Sequence, residues 1–333
     1  LYIHRSNKSA SAGLHFRHGA VDAHCDTVHY FQGVKGSYVF SRRNECAHLD
    51  LPRMEEGGVR AQFFALFVEP RYGPCGALKR CIQLLDSYYE TVGQCSSRLE
   101  TVGSYNELLR VNGEGKIAAV LTVEGGEVLE GALEVLRILY RLGIRGLGLT
   151  WNNRNQLADG VDEPEGSGGL TRFGREVVKE MNNLGMMIDL AHISEKGFFD
   201  VMMLTSGPVI VSHANTRMVC GHRRNLTDEQ LRALRENGGV IGISFCPSFI
   251  GGEDATLDKL LDHFEHAADI AGIDHLGIGS DFDGVEKTIP LLEDVSCLPV
   301  LTEGFLRRGF SERDVQKILG ENFLRVMGKV CRS

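Results

Sequence analysis

Short apolar, β-branched stretches recur along the chain, and most are followed by positions with the 3.6-residue period of an amphipathic helix. The apolar stretches lie at 20–27, 59–69, 116–124, 146–151, 186–192, 209–214, 240–245 and 275–281. Helical periodicity follows at 77–92, 130–142, 172–184, 195–204, 227–237 and 257–271; in the second of these Leu133, Leu136 and Tyr140 share one face. Thr227 stands where a helix N-cap is expected, and Gln230 completes a capping box with it. Eight such strands in strand–helix alternation, with no Ser- or Pro-rich linker, predict an α/β fold built as one (β/α)8 TIM-type barrel. Residues 1–19 read as an N-terminal extension and 20–330 as the barrel, the catalytic domain. Within it, 31–51 reads as a long loop and 159–169 as a glycine-rich mobile loop. The stretch 311–330 reads as a short C-terminal tail of two helices broken at Gly320.

Composition narrows the class. Of 333 residues 43% are hydrophobic, enough for a large core, and the net charge of −8 with no long basic run argues against nucleic acid as a partner. No window approaches the roughly 18 apolar residues of a membrane span, and 1–19 lacks the apolar centre of a secretory signal. The nine cysteines are scattered and contain no CxxC pair. They therefore read as reduced thiols of a cytoplasmic protein, with a local disulfide among Cys75, Cys81 and Cys95 as the alternative.

The polar residues at the ends of the predicted strands carry the chemistry, because active sites of this barrel form where the βα loops begin. The first strand ends in His24-Cys25-Asp26, and residues i and i+2 of a strand share a face. The third ends in Glu124 before two glycines, the fifth in His192, the sixth in His213, and the eighth in Asp281 and Asp283. A lone strand histidine is more often a satisfied core residue than a ligand. Three histidines and several carboxylates at equivalent ends are another matter, since such groups are costly in a barrel unless paired or coordinated. Imidazole and carboxylate without thiolate suit zinc, with manganese, iron or cobalt as substitutes. The donor count exceeds one tetrahedral site, so two ions are expected, bridged by Glu124. Such a pair activates water and polarises a carbonyl, which is hydrolytic chemistry. Asp281 is then either a ligand or the general base. No GxGxxG or GxxxxGK[ST] stretch opens a helix, which leaves a nucleotide-dependent oxidoreductase unsupported.

In order and spacing, VDAHCDT (21–27), VEGG (123–126), IDLAHIS (188–194), VIVSHAN (209–215), RRNLTDEQL (223–231) and GIGSDFDG (277–284) resemble the renal (membrane) dipeptidase family of binuclear zinc peptidases, bacterial-type branch. The resemblance runs from about residue 20 to 327. It implies a metal-dependent hydrolase barrel that cleaves L-L and L-D dipeptides through metal-activated hydroxide. It implies His24 and Asp26 on one zinc, His192 and His213 on the other, Glu124 between them, and Asp281 as acid/base. Arg224 is implied to grip the substrate carboxylate, which suits the bidentate geometry of a guanidinium. Arg223 is a weaker candidate for that role, and Asp283 is expected to support the loop. A homodimer is also implied. The family's mammalian members carry a histidine after the fourth strand, where this chain has Trp151-Asn152. Trp151 is expected to pack on a substrate side chain, and Asn152 to donate to an oxyanion. His29, His48 and Phe249 are weaker candidates for the pocket, and His222 reads as a solvated loop residue. The alternative within the same chemistry is a related amidohydrolase acting on N-acyl amino acids, lactams or lactones; outside it, a binding protein that has lost turnover.

Overall fold

A computed structural model describes residues 11–33, 38–164 and 168–331. Nine strands form one sheet: β1 (Ala20–Cys25), β2 (Val59–Phe67), β3 (Leu99–Thr101), β4 (Ile117–Glu124), β5 (Ile144–Gly148), β6 (Met187–Asp189), β7 (Ile210–Ala214), β8 (Val240–Ile243) and β9 (Leu276–Ile278). All pairings are parallel, and the ring β1-β2-β4-β5-β6-β7-β8-β9 closes on itself through Asp22 opposite Ile278. It is an eight-stranded α/β barrel of the TIM type, and its eight ring strands are the eight apolar stretches of the sequence. β3 is an addition: it pairs with the start of β4, at Ile117–Ala119, while β5 takes the end of the same edge at Leu121–Glu124.

Several predicted strands stop short. The fourth, fifth, seventh and eighth apolar stretches continue past the last strand residue, because beyond Gly148, Asp189, Ile243 and Ile278 the chain turns to present side chains at the barrel mouth, while the sixth ends with its strand at Ala214. The helices over 172–184 and 257–271 have the expected limits, and Thr227 and Gln230 form the capping box. The helix expected at 130–142 spans Leu133–Arg141, since Glu130 and Gly131 both adopt positive φ. In the expected loop 31–51, residues 34–37 lie outside the described ones, and Asp50 caps a short helix Leu51–Glu56. The stretch 311–330 is broken midway at Gly320, as expected, where a Cβ would meet Val21 of β1 at 2.5 Å.

The core has two layers. The larger lies between strands and surrounding helices. The second joins Val21, Phe63, Val120, Met187, Ile210 and Val240, near the strands' N-terminal ends, to Phe323, Leu324 and Met327. The last helix, Asn322–Val330, is therefore a plug for the lower end of the barrel rather than an appended tail. At the other terminus, 11–18 is helical, and its buried His15 bonds to Gly57 O and Thr302 Oγ1 at 2.8 Å each. All nine cysteines are unpaired.

Candidate metal centre

Five elements bring His24 (β1), Glu124 (β4), His192 (after β6), His213 (β7) and Asp281 (after β9) to one buried point at the strands' C-terminal ends. The local backbone is irregular where it has to be. β1 loses register between Asp22 and Cys25, and β7 between Val211 and Ala214, so bulges re-aim His24 and His213. His192 and Asp281 both hold φ of +66°, a left-handed conformation that non-glycine residues adopt at a cost of about 1–3 kcal/mol, concentrated at functional sites.

Donor atoms converge. His24 Nε2 lies 3.3 Å from Asp26 Oδ2, 3.5 Å from Glu124 Oε2 and 3.9 Å from Asp281 Oδ1. His192 Nε2 lies 2.8 Å from Glu124 Oε1 and 2.8 Å from His213 Nε2. The two oxygens of Glu124 thus face different histidines. Two nitrogens that close, aimed at one carboxylate oxygen, are poorly served by hydrogen bonds alone. Asp26 Oδ1 is buried with no partner, and the space between Asp26 and Asp281 is kept open by Gly284, whose Cβ would lie 2.3 Å from an oxygen of each. This donor set fits divalent cations of the zinc type.

Electrostatics agree. Burial opposes charge on His24, but Glu124, Asp26 and Asp281 outweigh it and bring the imidazole to about 10. Burial, with Asp26 as a like charge, raises Asp281 to about 7 against the pull of His24 and Arg224. Glu124 is pushed well above its ordinary range by burial and its carboxylate neighbours. His192 and His213 are held neutral by burial and by the nearby positive charges of Arg224 and His24, which leaves their lone pairs available. Three crowded carboxylates beside the two neutral imidazoles of His192 and His213 make a site suited to cations.

The remaining candidates sort by position. Arg224 is buried on the cavity wall; it donates to His213 O at 2.9 Å, and its Nε has no partner. Arg223 is exposed and pairs with Asp162 at 2.9 Å. Trp151 lines the cavity between Phe67 and His192, at ring separations of 5.5 and 6.1 Å. Asn152 presents Oδ1 to His192 Nδ1 at 2.6 Å, so it fixes that ring with Nε2 toward the centre. Asp283 accepts from Thr27 Oγ1 and His48 N at 2.6 Å each. His29 and Phe249 line the cavity, and so does His222, which is half-buried with its ring tilted against Phe249 at 4.8 Å rather than solvated as expected. Residues 165–167 of the glycine-rich stretch lie outside the described ones. Sequence reasoning passed over the opposite rim, where Arg80 clamps Glu69 through Nε at 2.9 Å beside Arg71 and Tyr72. The only signal for it was the charged EPRY stretch closing the second apolar run. The cavity, partly open to solvent, measures about 670 Å³, sufficient for a small peptide.

The family model for membrane dipeptidase (peptidase family M19) matches residues 10–332. The chain belongs to this family. Dipeptidase verJ of Clonostachys rogersoniana is 36% identical over 329 residues, covering 93% of this chain and 84% of the relative. Among solved structures, dipeptidase AC, a metallopeptidase of family M19, superposes with a TM-score of 0.89 at 29% identity, covering 95% of this chain and 99% of the other. A metallopeptidase from Rhodobacter sphaeroides, liganded with a phosphinate mimic of the dipeptide L-Ala-D-Ala, has a TM-score of 0.87 at 28% identity over 94% and 99% of the two chains. This M19 protein is thus a metal-dependent dipeptidase. Despite the family's name, no helix among its described residues is long and apolar enough to cross a membrane.

Proposed function

We propose that this M19 dipeptidase uses two zinc ions, one held by His24 and Asp26, the other by His192 and His213, with Glu124 shared between them. One observation carries the reading: Glu124 turns Oε2 to His24 and Oε1 to His192, the posture of a bridging carboxylate. Bound zinc supplies Lewis-acid polarisation of the scissile carbonyl and a water acidic enough to react near neutral pH. The chain's own residues do the rest. Arg224 takes the substrate's C-terminal carboxylate and thereby sets which carbonyl faces the centre. Asp281 accepts the proton of the attacking water and returns it to the amine nitrogen as the C–N bond breaks. Asn152 acts by holding His192, and Trp151 forms the wall against which a substrate side chain packs. The limited volume of the cavity favours dipeptides over longer chains. The phosphinate mimic of L-Ala-D-Ala in the Rhodobacter relative supports L-D dipeptides, and the family resemblance adds L-L dipeptides to the substrate class. We place catalysis in the barrel, 20–330, with 1–19 as an extension. Nine unpaired thiols support a reducing, cytoplasmic setting, and the family resemblance supports a homodimer.

The test is amino-acid release from L-L, L-D and N-acetylated dipeptides and from tripeptides, with metal-stripped protein and after zinc is restored. Zinc-dependent cleavage of free-amine dipeptides alone is expected. Cleavage confined to N-acylated compounds would instead assign an N-acyl amidohydrolase.

A further inference from the structure

Two buried or half-buried aspartates outside the ligand set occupy matching places in the barrel. Asp22 of β1 is paired in register with Ile278 of β9, and Asp189 of β6 with Ile210 of β7. In each partner strand the sequence continues Ile-x-Ser and then a residue of the centre: Ile278-Gly279-Ser280-Asp281 and Ile210-Val211-Ser212-His213. The side chains repeat the correspondence. Asp22 Oδ1 accepts from Ser280 N at 2.8 Å and from His24 N at 3.4 Å. Asp189 Oδ1 accepts from Ser212 N at 2.9 Å and from Ala191 N, the residue before His192, at 3.0 Å.

These two seams are where the ring needs help. The strands themselves share a single registered pair at each seam, and the first seam closes again above it at Cys25 and Phe282, whereas β2 and β4 align continuously from Ala61–Ala118 to Phe67–Glu124. Just above each single pair the ladder turns irregular to deliver His24 with Asp281, still joined by Asp281 N on His24 O at 3.3 Å, or His192 with His213. A carboxylate oxygen that binds amides of both strands reinforces the ladder where it is irregular. The serines extend the clasp differently: Ser280 Oγ donates to Asp22 Oδ2 at 2.6 Å, and Ser212 Oγ lies 2.9 Å from His213 Nδ1.

We propose that Asp22 and Asp189 are positioning residues, two equivalent clasps that each set the geometry of one half of the metal centre. The proposal rests on the ligand reading above. Because each clasp serves one seam, its loss acts on one ion. Outer partners of ligands typically govern metal affinity by 10–100-fold.

The experiment is competition of apo protein against a chromophoric zinc chelator, resolving both binding steps, with cobalt absorption as the geometric readout. Asp189→Ala is expected to weaken one step by 10-fold or more and leave the other within threefold; Asp22→Ala is expected to do the same to the other step. Asp189→Asn keeps an acceptor oxygen for both amides and is expected to stay within threefold at both steps. Should Asp22→Ala fail to fold, the Asp189 pair decides alone. Wild-type affinities in Asp189→Ala, or equal weakening of both steps tracking its loss of thermal stability, would overturn the clasps. The ligand reading is checked separately by His213→Ala: if that variant keeps both zinc-binding steps, the centre itself is misassigned.

Discussion

A missing side chain defines the centre as much as those present. Gly284 is in ordinary backbone conformation, so its requirement is one of space: a Cβ would stand 2.3 Å from both Asp26 Oδ2 and Asp281 Oδ1. Gly284→Ala must therefore push two carboxylates of the centre apart without straining the chain. The expected result is kcat/KM lowered by about 100-fold, a transition-state loss of about 2.7 kcal/mol, with reduced zinc occupancy and near-native thermal stability. Gly113→Ala, where a Cβ meets nothing within 4 Å, serves as the control and should retain full turnover. Wild-type kinetics in Gly284→Ala would remove the glycine from the argument. The ligating types at this centre were legible because charged groups at apolar strand ends are rare without a purpose. Asp22 and Asp189 were not legible: an aspartate inside an apolar run gives no sign whether it faces a metal, a water or two backbone amides.

Elements were legible where the periodicity was long and punctuated. The helix Arg172–Leu184 is bounded by Thr171, which caps Gly174 N, and by Gly185 in the left-handed C-terminal position. β3 escaped because three residues, one buried and two half-buried, make no period, and it lies against only the first part of β4. Strand ends were overextended for a different reason: His192 and Asp281 continue an apolar stretch in sequence while their backbone has already turned into positive φ. The C-terminal helices and their break at Gly320 could be read, but not their destination beneath the barrel, which only the close approach to Val21 reveals. Phe323 makes that destination testable. It is buried, meets Phe63 of β2 at 6.1 Å, and fills space where Gly277 of β9 has no side chain. Phe323→Ala is expected to cost about 3–5 kcal/mol in urea unfolding, the range for deleting a core aromatic ring. A loss below about 1 kcal/mol would mean that the helix decorates the barrel rather than closing it.

For the molecule as a whole, acid sensitivity should arise partly away from the metal centre. His263, on the helix Leu257–Ala271, is buried, and its pKa falls to about 4 because burial opposes the charged ring. Its Nδ1 accepts from Thr216 N at 3.2 Å, and its Nε2 faces Ile250 O at 3.3 Å, a neutral tautomer joining the loops after β7 and β8. The folded state therefore favours the unprotonated ring. In the unfolded chain the imidazole returns to an ordinary value near 6.5 and takes up a proton first. Stability from this group is complete above pH 6.5 and is lost as pH falls toward 4, because the unfolded state binds the extra proton. Between pH 7.5 and 5 the loss amounts to about 2 kcal/mol. His263→Gln offers an acceptor and a donor without a titrating ring, so its unfolding free energy should change less over that interval. The comparison is made by urea unfolding of wild type and variant at both pH values, each stripped of metal so that proton competition for the ligands does not enter. If both proteins lose the same free energy between pH 7.5 and 5, the acid sensitivity of the fold lies in other buried groups and His263 is ordinary packing.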